Sequence, residues 1–286
     1  MSPLSPLRAF STEDERCPEA DAIARSAAAA LRLELETYPK PGLVSHVDRG
    51  SHADMNADTF RASTAAITPF FRALALAGAA GAPMPALRCI GLEAEAAMRA
   101  ATGGVNTHRG AIFGLGLLCA AAGALPRHLA GALGARVRDR YGSAILDGPV
   151  LLHAPGARAR RRHGVGGAPA EAAAGFPSLY RVALPALRRG RQIHPGDEEA
   201  ARVEACLALI AHVEDTNLLH RGGPEGFAFA RREAARFMAE GGVAQPRWRA
   251  RAEALHRAFV ARNLSPGGAA DLLAMTLFVE SVEASA

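Results

Sequence analysis

The 286-residue chain is 49% hydrophobic but only 5% aromatic, and much of the apolar content is alanine. Alanine loses no side-chain entropy in a helix and lets helices approach closely, so the composition predicts an all-α fold and excludes a strand-rich one. The net charge of +5 comes from scattered arginines and one lysine, Lys40, not from a basic stripe interleaved with aromatics, which argues against a stable nucleic-acid partner.

Cys17, Cys89, Cys119 and Cys206 are dispersed and form no C-x-x-C pair. Neither a zinc site nor a disulfide framework is expected, which fits a cytoplasmic protein. Met1 to Phe10 has two prolines and no long apolar stretch, so no signal peptide is expected and residues 1–17 read as a flexible tail. Pro18 suits a first helical position, and Ile23, Ala27, Leu31 and Leu35 share one face, predicting a helix to about Thr37. It stops at Tyr38-Pro39-Lys40-Pro41-Gly42, because two prolines and a glycine cannot continue it, and a polar loop runs on to Asn56.

Phe60, Thr64, Ile67, Phe71 and Leu74 predict a second helix, kinked at Pro69, and a third covers about Pro85 to Ala101. After the Gly103-Gly104 break, Asn106 or Thr107 can cap a helix that carries the apolar run Ala111 to Leu125. That run is shorter than the roughly 20 residues of a membrane span, so it reads as a buried core helix. Arg136 to Gly167, with Arg158-Ala159-Arg160-Arg161-Arg162, reads as a partly exposed insertion or mobile loop. Further helices are expected from Pro177 to Arg189, from Asp197 to Arg221 with a stop at Gly222-Gly223, from Phe227 to Ala239, from Pro246 to Arg262, and from Ser265-Pro266 onward. No linker or repeat interrupts the pattern, which implies a single compact domain, residues 1–286, of roughly ten helices.

Several loops carry groups suited to chemistry. Prolines on both sides of Lys40 stiffen its loop and fix where the ammonium points, which is useful for a phosphate; Asp48, His52 and Asp54 follow and could supply a Mg²⁺ ligand or a proton acceptor. Gly103-Gly104-Val105-Asn106-Thr107-His108-Arg109-Gly110 is a tight turn feeding a helix. The first-turn N–H groups of a helix have no internal partner and attract anions. A basic pair, His108 and Arg109, opposes the helix dipole there unless an anion neutralises it. In the helix expected up to Arg221, Val203, Leu207, Ile210 and Val213 mark a buried stripe that Glu214, Asn217 and Arg221 continue, whereas Asp215 and His220 diverge from it. Polar groups on a core face either satisfy one another or line a pocket. Glu171 precedes the Gly175-Phe176-Pro177-Ser178 turn, and Ser265-Pro266-Gly267-Gly268 with Asp271 forms another glycine-bearing helix start. Together these groups suggest a polyphosphate substrate with Mg²⁺, but no one of them names a reaction.

The ordered set Pro39-Lys40-Pro41-Gly42-Leu43-Val44, His52-Ala53-Asp54-Met55, Gly103 to Ala111, Gly175-Phe176-Pro177, Asp215-Thr216-Asn217 and His220-Arg221-Gly222-Gly223 resembles the triphosphoribosyl-dephospho-CoA synthases, over about residues 20 to 280. Gly164-Val165-Gly166-Gly167 and Ser178-Leu179-Tyr180-Arg181 look closer to the branch serving malonate decarboxylase than to that serving citrate lyase. The sequence departs from the family's pattern at Pro169, where an arginine is expected; Arg160 to Arg162 lie nearby in sequence and could replace it.

The resemblance implies an all-helical transferase with ATP and 3′-dephospho-CoA as substrates. The ribose 2′-hydroxyl of dephospho-CoA would attack the anomeric carbon of the ATP ribose, adenine would leave, and the triphosphate would stay on the product. Lys40, Gly103, Gly104, Asn106, Thr107, His108, Arg109, Asn217 and Arg221 are expected around the phosphates. Asp54, Glu171 or Asp215 would act as general base, with Asp54 and Asp215 also candidates for Mg²⁺, and His52 or His220 would assist proton transfer to adenine. The product would serve an acyl carrier protein and its prosthetic-group transferase; homo-oligomerisation stays open. Two other readings remain at this stage: another Mg²⁺-dependent ATP enzyme, such as a kinase or an ADP-ribosyl hydrolase-like protein, and a non-catalytic nucleotide-binding helical protein.

Overall fold

Local start signals place the first helices. In the computed structural model, which describes residues 17–125, 132–149 and 154–283, α1 (Pro18–Leu35) opens on proline with Glu19 and Asp21 in its first turn, where carboxylates complement the helix dipole. The expected tail lies, apart from Cys17, outside the described residues. α2 (Ala57–Ala79) starts at a reciprocal capping box: the Asn56 side chain accepts from Thr59 N at 3.0 Å. α3 (Met84–Ala101) and α4 (Arg109–Gly123) follow. α2 is long and apolar enough to cross a membrane by length and composition, but it packs against α1, α3 and α4, as a core helix does. At its crossing with α4 only glycine fits at position 78, since a Cβ there would stand 1.9 Å from Ala120 O.

The segment read as an insertion is helical instead. α5 (Ala132–Leu146) packs on α4, and α6 (Pro155–His163) ends at left-handed Gly164. Arg160, Arg161, Arg162 and His163 fill the last turn of α6, where cations suit the negative end of the dipole; the arginine run thus favours a helix rather than a loop. α7 (Gly167–Ala173) leads to a π-helical turn at Leu179–Ala183 and then α8 (Leu184–Ile193). Pro185 explains the widened turn, because it offers no N–H to the carbonyl four residues back and its ring crowds that carbonyl.

The long helix expected from Asp197 to Arg221 is two helices. α9 (Glu198–His212) ends where Val213 turns extended, and α10 (Thr216–Ala239) restarts from Asp215, whose side chain accepts from the N–H groups of Asn217 and Leu218. The stripe carried through Val213 to Glu214, Asn217 and Arg221 therefore does not hold. α10 breaks at Gly222-Gly223, where Gly223 is non-helical (φ 61°, ψ −167°), so the stop expected there is present as a kink between two helical stretches. A short 3-10 turn (Gly242–Ala244), α11 (Trp248–Ala261) and α12 (Gly267–Glu283) complete the chain. Among the described residues there are twelve α-helices and no strand, as the all-α expectation requires. One hydrophobic cluster draws on every helix except α6.

Candidate active site

The loop after α1 is pinned from two sides. Lys40 is fully buried; its ammonium pairs with the buried Glu34 carboxylate and donates to Glu34 O at 2.6 Å. The expectation that Lys40 points its charge at a phosphate is corrected here, because that charge is already neutralised inside the protein. Burial raises the Glu34 pKa and Lys40 partly offsets this. His256, itself buried, bonds Lys40 O at 2.8 Å and lies 3.1 Å from Asp48 Oδ2. On the other side Ser51 Oγ donates to Leu264 O at 2.6 Å, and His52 Nε2 lies 2.9 Å from Ser265 Oγ. Gly42 permits this apposition: its φ is +70°, and a Cβ there would fall 2.0 Å from Leu264 O.

Asp54 lies at the exposed rim of this wall, with the half-buried His52 beside it. The His52 Nδ1 to Asp54 Oδ1 distance is 3.5 Å, and the Asp54 carboxylate is 61% exposed. Burial and then Arg221 lower the His52 pKa, against a smaller opposing effect of Asp54. Arg221 donates to Asn263 O at 2.8 Å and also to Ser51 O and Asn263 Oδ1. It therefore ties the two loops together rather than presenting a free guanidinium for phosphate.

The 103–110 turn forms a second wall. Gly103 and Gly104 have φ of +64° and +92°, and their Cα atoms face open space. Arg109 N bonds Asn106 Oδ1 at 3.3 Å, and Arg109 Nε stands 3.2 Å from Glu95. Thr107 Oγ1 donates to Ser63 Oγ at 2.7 Å, which lies 2.6 Å from His108 Nδ1. His108 is buried, and burial followed by the Lys40 charge pushes its pKa down to about 3. The expectation of a basic His108–Arg109 pair is thus corrected: His108 is neutral, because a buried imidazole loses more hydration on charging than this surrounding returns.

The anion site at the start of α4 has an internal occupant. Asp271, on α12, accepts from Ala111 N, and its Oδ2 would lie 1.9 Å from a Cβ at Gly110. Burial, with Glu34 and Asp215 as like charges, raises the Asp271 pKa well above the usual carboxylate range. Asp215 does similar work at two helix starts. It caps α10 through Asn217 N (2.8 Å) and Leu218 N (3.2 Å), and its Oδ2 accepts from Ala269 N of α12 at 3.0 Å. Burial raises its pKa too, against these hydrogen bonds. The N-termini of α4, α10 and α12 therefore meet at one place, with two carboxylates of the chain between them.

The third wall is the start of α7. Gly166 N donates to Glu214 Oε2 at 3.2 Å, and Gly167 is flanked by Arg160 and the Thr216 methyl. Asn217 lies against Gly267. Of the remaining expected residues, Glu171 accepts from Ser178 N and Oγ at 2.7 and 3.0 Å, with burial raising its pKa, and His220 is exposed on α10.

Among the described residues no three His, Cys, Asp or Glu side chains stand close enough to hold a metal ion. Asp215 does not fit the ligand role expected of it, since both its oxygens are engaged by backbone N–H groups. Asp54 fits a single carboxylate contact to a metal carried by nucleotide phosphates, which keeps most of its own waters.

Sequence reasoning missed Glu34 and Ser63, and took Asp271 only as part of a glycine-bearing helix start, not as the partner of Ala111 N. Glu34 was within reach: it follows Ala27 and Leu31 on the buried face of α1. Ser63 and Asp271 gain their meaning from contacts with segments remote in sequence, His108 and Ala111, which helical phasing cannot reveal.

A family model described as ATP:dephospho-CoA triphosphoribosyl transferase matches residues 20–147 and 151–286. A protein of Pseudomonas paraeruginosa named "Probable 2-(5''-triphosphoribosyl)-3'-dephosphocoenzyme-A synthase" is 42% identical over 279 residues, 94% of each chain. One of Azotobacter vinelandii with the same name is 40% identical over 289 residues, 97% of each chain. A protein of Pectobacterium atrosepticum, named 2-(5''-triphosphoribosyl)-3'-dephosphocoenzyme-A synthase, is 41% identical over 269 residues, 89% of this chain and 87% of its own. No solved structure matches the chain significantly.

Proposed function

Because the chain belongs to the ATP:dephospho-CoA triphosphoribosyl transferase family, we propose that it joins the triphosphoribosyl group of ATP to the ribose 2′-hydroxyl of 3′-dephospho-CoA and releases adenine. The glycosidic C–N bond breaks with its electron pair going to adenine, and a new C–O bond forms at the anomeric carbon. The hydroxyl proton leaves to a base and adenine takes up a proton. The positive charge that develops on the ribose resembles that of glycoside cleavage, so a carboxylate near the attacking hydroxyl and an acid near the leaving base are the groups required.

The observation that carries this reading is the joining of motif segments 213 residues apart, Ser51-His52 with Leu264-Ser265, into one wall beside three converging helix N-termini. The first N–H groups of these helices are taken up by Asp271 and Asp215, so their positive ends offset those two carboxylates and leave the substrate's phosphates to other groups. Arg109 and Arg160 stand at the rim as phosphate contacts, and the open backbone at Gly103-Gly104 lets a phosphate approach the chain closely. Lys40 acts from beneath, fixing its loop through Glu34. Mg²⁺ arriving on the nucleotide would neutralise part of the triphosphate charge, with Asp54 as its protein contact. Asp54 or Glu171 would serve as the base, Asp215 being committed to capping, and His52, 3.5 Å from Asp54, would assist proton transfer to adenine.

The product would supply the prosthetic group of an acyl carrier protein through a separate transferase. Gly164-Val165-Gly166-Gly167 and Ser178-Leu179-Tyr180-Arg181 favour the malonate decarboxylase system. Chromatography of the protein incubated with ATP, Mg²⁺ and dephospho-CoA tests the reading. Adenine released only when both substrates are present supports it; ADP or free phosphate in its place overturns it in favour of a kinase or phosphohydrolase.

A further inference from the structure

His108 is 3% exposed, yet its Nε2 has no hydrogen-bond partner among the described residues. Leaving such a group unpaired costs roughly 1–3 kcal/mol, so it calls for a physical reason. The ring is held on its other sides. Met98 Sδ accepts the His108 backbone N–H at 3.2 Å, and the ring meets Phe60 edge-on at 4.8 Å between centroids. Nδ1 faces α2, 2.6 Å from Ser63 Oγ.

The hydroxyl chain, run from Thr107 through Ser63 to His108, favours one tautomer. Thr107 Oγ1 donates to Ser63 Oγ, so the proton of Ser63 is free to point at His108 Nδ1. Nδ1 is then the acceptor and the ring proton sits on Nε2, directed away from α2. Lys40 supplies the one charge that acts appreciably on the ring, and together with burial it keeps the imidazole neutral. His108 is also the N-cap of the 15-residue helix α4, four residues after Gly104, whose Cα faces open space.

We infer that His108 Nε2–H is an uncharged hydrogen-bond donor to an acceptor atom of the bound nucleotide, and that Ser63 and Thr107 are positioning residues that set its tautomer. The identity of the ligand rests on the proposed function; the tautomer does not. A neutral donor orients a phosphate oxygen, or an adenosine nitrogen or oxygen, without handing over a proton, and its grip does not change as pH crosses the ordinary histidine range.

Histidine-selective ¹⁵N NMR tests this on the whole protein. The free protein should show His108 protonated at Nε2 and bare at Nδ1 from pH 8 to pH 5. ATP should move the Nε2 signal and leave Nδ1 bare. Inorganic triphosphate reproducing the shift marks a phosphate oxygen as the acceptor, whereas a response to adenosine alone marks the base or ribose. Ser63→Ala should mix the tautomers, and Thr107→Val should lower kcat/KM by about tenfold, the worth of one such hydrogen bond, with Thr107→Ser restoring it. An Nδ1–H tautomer or a ring that titrates near 6.5 overturns the inference. So does an Nε2 signal indifferent to ATP, triphosphate and adenosine alike, which would leave a buried water as its only partner. The tautomer in the free protein is read independently of adenine release, so failure here is distinguishable from failure of the proposed reaction.

Discussion

The Asp215 carboxylate reaches Ala269 N at 3.0 Å while also capping Asn217 and Leu218, so one side chain closes the starts of both α10 and α12. Buried charge-assisted hydrogen bonds of this kind contribute roughly 1.5–3 kcal/mol each. Asp215→Ala should therefore destabilise the protein by about 3 kcal/mol or more, and Asp215→Asn by less, since it keeps one acceptor oxygen. Urea unfolding of the variants checks this. A loss within about 0.5 kcal/mol for Asp215→Ala would remove the double-cap account.

The Glu34–Lys40 pair separates a structural lysine from a functional one. Removing one member leaves a buried charge, which costs about 3–5 kcal/mol, whereas replacing both by apolar groups is often neutral. Lys40→Met should be strongly destabilised, and Lys40→Met with Glu34→Leu should regain most of the loss in thermal unfolding. If the double variant is stable but inactive, the lysine's charge serves the site as well as the loop.

His108 makes stability depend on pH in a stated direction. Its folded pKa of about 3 lies below the ordinary value of 6.5. Below pH 6.5 the unfolded chain binds a proton that the fold does not, so this contribution is present in full above 6.5 and is lost as pH falls toward 3. Between pH 6.5 and pH 5 the loss amounts to about 2 kcal/mol. The stability gap between the parent protein and His108→Gln should shrink by about that amount over the interval, as measured by denaturant unfolding at each pH.

Two glycines with positive φ should respond differently. A side chain at Gly42 meets Leu264 O, whereas one at Gly103 meets nothing. Gly42→Ala should displace the loop from the 262–266 segment and cost most of the activity. Gly103→Ala carries only the strain of a left-handed residue, roughly 1–2 kcal/mol, and Gly103→Asn less. Thermal unfolding and initial rates on the same preparations distinguish the two.

The sequence made much of this legible where a local signal suffices. Pro18 at the start of α1, the Asn56 cap and the Gly103-Gly104 break all act within a few residues, and the all-helical class follows from alanine content. The division at Val213–Asp215 was hidden because no glycine or proline marks it; an Asp that caps a helix looks the same in sequence as one on its surface. The arginine run was misread for a related reason, since its charges complement a helix end only once Gly164 terminates that helix. In the site, the loops were recognisable but their internal partners were not. Glu34 neutralises Lys40 and Asp271 satisfies Ala111 N, and both pairings depend on how distant helices pack.

In the proposed reaction these loops hold a triphosphate intact while bond exchange occurs at the ribose. ATP labelled in its γ-phosphate, incubated with the protein, Mg²⁺ and dephospho-CoA, tests it most directly. The account expects the label to migrate with the dephospho-CoA product in step with adenine release. Label recovered as free phosphate or on another acceptor, without adenine, would contradict it.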